Sequence, residues 1–90
     1  MKKISILKYN LKGVPVNNKT LIHRALYGYI DHSNKGDYTY HRKGILKSIK
    51  YTKIGNSVLM VDTKDVKQLI PLFKKYKIRV NIIDMIMRLP

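Results

Sequence analysis

Residues 38–53 read Tyr38-Thr39-Tyr40-His41-Arg42-Lys43-Gly44-Ile45-Leu46-Lys47-Ser48-Ile49-Lys50-Tyr51-Thr52-Lys53. The stretch holds five cations, three tyrosines and one histidine, and no acid. Its alternation and its content of Tyr, Ile and Thr suit one extended strand, because β-branched and aromatic side chains pack well on a pleated surface. Gly44 interrupts it and reads as a bulge, which would change the face that later residues occupy. Before Gly44, alternation puts Tyr38, Tyr40 and Arg42 on one face. After it, Ile45, Lys47, Ile49 and Tyr51 share a face, with Leu46, Ser48 and Lys50 opposite.

Downstream, Ile54-Gly55-Asn56-Ser57 reads as a hairpin turn, since Gly and Asn accept positive φ. Val58-Leu59-Met60-Val61 is apolar on both faces, as a central strand is. Asp62 or Thr63 then caps a helix with Val66, Leu69, Ile70, Phe73 and Tyr76 at helical spacing. Pro71 falls inside this run and is expected to kink or split it. Residues 79–89 form a last long strand, with Val80, Ile82, Asp84 and Ile86 on one face and Ile83, Met85, Met87 and Leu89 on the other.

Upstream, residues 31–37 are turn formers and read as a polar loop. Leu21, Ile22, Ala25, Leu26, Tyr29 and Ile30 make one helical stripe, with cap residues in Asn17-Asn18-Lys19-Thr20. Gly28 lies within that helix, where a close backbone contact is the usual reason to keep glycine. Residues 4–11 alternate as a first strand. The order strand, helix, strand, strand, helix, strand is the α+β split βαβ, or ferredoxin-like, plan (βαββαβ). It implies a four-stranded antiparallel sheet with two helices on one face. The basic strand and the last strand would be its edges. The whole of residues 1–90 reads as a single basic domain.

The net charge is +14, from 19 Lys and Arg against five acids, all Asp. Such self-repulsion is usually relieved by a polyanion. A lysine-rich proteome explains many Lys, Ile and Asn residues but not the scarcity of acids. There is no cysteine, which excludes disulfides, thiolate metal sites and a cysteine nucleophile. The start lacks a long apolar run, and no window approaches a membrane span, so the expected location is cytoplasmic, with no membrane partner.

Lysines and arginines beside aromatic rings suit a nucleic-acid chain, the cations meeting phosphates and the rings stacking on bases. The expectation is therefore a non-catalytic nucleic-acid-binding protein, for RNA or single-stranded DNA rather than a specific duplex sequence. Its site residues would be Lys35, Tyr38, Tyr40, His41, Arg42, Lys43, Lys47, Lys50, Tyr51 and Lys53. RNA-recognition modules share the βαββαβ plan but carry aromatics on the third strand. Residues 53–60 here have none, so this chain departs from that pattern. The competing reading of the basic stretch is an edge strand guarded by cations.

Two other functions are chemically feasible. One is a small protein-binding module or inhibitor, for example of viral origin, engaging a nucleoprotein or nuclease complex. The other is a metal-independent ribonuclease with His41 as acid or base and Arg42 on the phosphate. Alternation points His41 away from Tyr40 and Arg42, against the second. The histidines and aspartates are scattered, so no metal or cofactor is expected. The apolar last strand predicts a homodimer through that strand or through the open sheet face.

Overall fold

A computed structural model describes residues 2–33 and 38–88. Its first strand, β1 (Lys2–Asn10), alternates as expected. Leu7 and Tyr9 enter the core, while Ile4, Ile6 and Lys8 face the other side. Helix α1 spans Val16–Tyr27, with Ile22 and Leu26 buried. It starts earlier than its sequence signals, directly after Pro15, and no side chain caps it. Asn18 instead donates to the Tyr76 carbonyl at 3.0 Å, tying α1 to the end of the second helix.

Gly28 ends α1 rather than lying inside it. Its φ of 82° and ψ of −179° are open essentially to glycine alone. Tyr29 and Ile30 therefore leave the helix and enter β2 (Gly28–Ser33), which pairs antiparallel with β3 (Tyr38–Lys43). Residues 31–33 of the expected loop are strand; Asn34, Lys35, Gly36 and Asp37 lie outside the described residues. The basic stretch is likewise not one strand. After β3 the chain makes a 3-10 turn at Ile45–Ser48 and then β4 (Tyr51–Gly55). Leu46 and Ile49, three residues apart, are both buried, and their burial decides the break. The alternation expected for residues 45–50 is replaced by this turn, and the register irregularity falls later, between Lys53 and Gly55.

β4 turns through Asn56 and Ser57, the latter at φ 64°, into β5 (Val58–Asp62). A short 3-10 turn (Thr63–Asp65) leads into α2 (Val66–Lys75), which buries Val66, Leu69 and Phe73. Pro71 does not split α2; it lies on the exposed side of one uninterrupted helix. Lys77 takes φ 58°, and the Ile78 N–H reaches back to the Phe73 carbonyl at 2.8 Å. This is a Schellman-type stop with lysine where glycine is usual. β6 (Arg79–Met87) completes the chain's strands.

The described residues are thus α+β, with two helices and six strands rather than four. One sheet has the order β4-β5-β1-β6, every pair antiparallel, and the second is the β2–β3 hairpin. Leu7, Tyr9, Leu59 and Val61 of the larger sheet meet Ile22, Leu26, Leu69 and Phe73 of the helices in one core. The Tyr9 and Phe73 rings lie 5.2 Å apart within it. The hairpin stands off this core. The radius of gyration is 15.0 Å, against about 12 Å for a compact chain of this length.

Asp84, an acid on an apolar strand, has a structural explanation. It accepts the hydroxyl of Ser5 at 2.6 Å, and Ser5 is fully buried. With that proton committed, Ser5 accepts from Thr63 at 2.9 Å. Among the described residues no helix is long and apolar enough to cross a membrane.

Candidate nucleic-acid interface

Directly opposed residues of an antiparallel pair share a face. The β2–β3 register opposes Tyr29 to Arg42 and Asp31 to Tyr40, so one hairpin face carries these four. Ile30, His41, His32 and Thr39 occupy the other. Arg42 donates to one Asp31 carboxylate oxygen from two nitrogens, at 3.3 and 3.4 Å, and its guanidinium lies 5.4 Å from the Tyr40 ring centre. Arg24, from the last turn of α1, stands 4.7 Å over the Tyr29 ring. Both distances suit a cation–π contact. Tyr29 and Tyr40 remain 38% and 47% exposed, enough ring surface to meet a ligand.

Two glycines seat the base of the hairpin against the end of α1. A Cβ on Gly28 would fall on the Arg42 carbonyl, and one on Gly44 on the Leu26 carbonyl and the Gly28 nitrogen. The end of α1 and the exit of β3 therefore touch backbone to backbone.

Beyond Gly44 lies a second basic cluster. Lys47, Lys50, Tyr27 and Tyr51 line a groove of about 450 Å³ beside the 3-10 turn. The Tyr27 ring meets Tyr51 edge-on at 6.2 Å and His23 at 4.8 Å, and the Lys53 ammonium lies 5.5 Å from its centre.

The expected site residues thus fall into two groups. Tyr40, His41, Arg42 and Lys43 are on the hairpin, where Tyr40 and Arg42 share a face and His41 does not. Tyr38 opens β3, and Lys35 lies outside the described residues. Lys47, Lys50 and Tyr51 line the groove, and Lys53 stands by the Tyr27 ring at its side. Arg24, Tyr27, Tyr29 and Asp31 were not expected at the site. Alternating Tyr29-Ile30 after a glycine was the available signal for β2. No group of three or more His and Asp side chains suited to a metal occurs among the described residues.

The Tyr27 hydroxyl is buried near that of Tyr9 and makes no well-aligned hydrogen bond among the described residues. Burial first, then the neighbouring Tyr9 hydroxyl, pushes its pKa up to about 12. Burial also raises that of Tyr9. Tyr27 is therefore neutral in the fold where the unfolded chain has already ionised. Between pH 10 and 12 the unfolded state binds fewer protons, so stability falls as pH rises. Tyr27→Phe should remove this part of the alkaline loss and leave stability at pH 7 equal or slightly higher, as urea melts at the two pH values would report. No protein-family model, curated protein or solved structure matches this chain.

Proposed function

We propose that this protein is a non-catalytic binder of single-stranded nucleic acid, RNA or DNA, that lays the strand across the β2–β3 hairpin and the adjoining groove. The observation that carries this reading is the hairpin face on which two exposed tyrosine rings each stand beside an arginine. Rings of this kind stack on bases without sequence preference, and guanidinium groups pair with phosphate oxygens. Lys43, Lys47, Lys50 and Lys53 extend the positive charge along the chain from the hairpin to β4. A net charge of +14 supplies the long-range attraction.

Asp31 is the counterweight. It holds Arg42 through an exposed ion pair, which is worth little in water. An incoming phosphate replaces the carboxylate, and Asp31 then remains as a nearby like charge. We further infer that the β4-β5-β1-β6 sheet with its two helices is a split βαβ frame, and that the hairpin is an insertion between α1 and β4. The order of strands and helices supports this.

Equilibrium titration of a labelled single-stranded oligonucleotide tests the reading. Tyr40→Ala should weaken binding by about 1–3 kcal/mol, Tyr40→Phe should be nearly silent, and binding to duplex should change far less. Asp31→Asn should tighten binding, because an anion leaves the site. If Tyr40→Ala and Asp31→Asn both bind as the parent does, the hairpin face is not the interface.

A further inference from the structure

β6 is the outer strand of the larger sheet, paired with β1 on one side only. Edge strands usually carry Lys, Pro or a bulge that blocks a second chain. From Val80 to Met87, β6 has no lysine, arginine or proline, and its nine-residue register with β1 is unbroken. It exposes apolar side chains on both faces instead. Ile83 (56%), Met85 (46%) and Met87 (40%) lie on the face away from the helices, and Ile82 (36%) and Ile86 (63%) on the other. A partner laid on either face would leave one of these rows in water. A strand added alongside touches both.

We propose that β6 pairs antiparallel with β6 of a second copy of this chain, about a two-fold axis through Ile83, to make one continuous eight-stranded sheet. Ile83 is the midpoint of Arg79–Met87, so this register pairs all nine residues. Ile83 then opposes Ile83 and Asn81 opposes Met85 on one face. Val80 opposes Ile86 and Ile82 opposes Asp84 on the other. Ile83 on Ile83 and Val80 on Ile86 are apolar on apolar, and the two-fold makes each contact twice, as in any isologous interface.

The cations of this edge lie at the ends of the paired segment, Arg79 within the strand and Arg88 just beyond it, and none lies between Val80 and Met87. Arg79, the one cation within the strand, opposes Met87. The two Arg79 residues sit about 27 Å apart at ~3.4 Å per residue, well beyond a screening length of about 8–10 Å. The two β4 edges lie seven strand spacings apart, about 34 Å, so both basic grooves stay free.

The chain has no cysteine, so Ile83→Cys places a single thiol on the proposed axis. The wild-type chain should sediment as a dimer at tens of micromolar. Under mild oxidation Ile83→Cys should convert nearly completely to a disulfide-linked dimer, whereas Tyr40→Cys, on the hairpin, should not. Ile83→Lys, which opposes two ammonium groups, should run as a monomer with an unchanged circular dichroism spectrum. If that variant fails to fold, the cross-link decides. A wild-type monomer at a hundred micromolar, a dimer that survives Ile83→Lys, or an Ile83→Cys chain that does not cross-link would each overturn the proposal.

Discussion

Gly44→Ala should destabilise the fold by about 3 kcal/mol, near the upper end for overpacking. In a chain of this size that lowers the melting temperature by roughly 12–24 °C. The new methyl group would meet the Leu26 carbonyl and the Gly28 nitrogen, both backbone atoms that no rotamer change can move. Gly28→Ala should cost at least as much, because it adds a backbone conformation forbidden to alanine to a clash with the Arg42 carbonyl. Gly55→Ala is the control: its Cβ would enter open space, so melting should change little. Thermal melts of the three variants check this. Equal, small effects would mean that the hairpin is not anchored through the two glycines.

The second large effect is on binding. Arg24, Arg42, Lys43, Lys47, Lys50 and Lys53 surround the proposed path of the strand. Each phosphate contact on single-stranded nucleic acid releases about 0.7 counterion. Raising salt from 50 to 200 mM should then weaken binding about 50-fold with four contacts and about 300-fold with six. Removing Lys47 and Lys50 together, as Lys47→Ala with Lys50→Ala, should lower the log–log slope by about 1.4. The core residues Leu46 and Ile49 beside them are untouched, so stability should hold. Titrations at four salt concentrations report both quantities. A slope near zero would remove phosphate contact from the account.

Several of the helices and strands were legible from local pattern. The turn at Asn56–Ser57, the doubly apolar β5 and the stripe of α2 are set by residues close in sequence. The α1–β2 boundary was not, because Tyr29 and Ile30 continue the phase of the Ile22–Leu26 stripe. What stops the helix is contact between Gly28 and the exit of β3. The break after Gly44 was hidden for a related reason. Leu46 and Ile49 alternate poorly as strand residues but fit a 3-10 turn, and only the place of that turn against the core reveals the choice. Pro71 does not split α2, which runs on through it with the proline on the exposed side.

The candidate site divides in the same way. Tyr40 and Arg42 on one face, with His41 on the other, follow from period-two alternation alone. Arg24 over Tyr29, and Asp31 holding Arg42, depend on pairing between distant segments. The acid that moderates the site therefore read as a loop residue.

The most direct measurement is amide chemical-shift mapping of the labelled chain as a single-stranded oligonucleotide is added at low salt. The account predicts shifts concentrated in residues 28–33, 38–43 and 47–53 and at Arg24, with β6 and the open face of the sheet little changed. No shifts at low salt, or shifts centred on β6 while the hairpin stays silent, would contradict it.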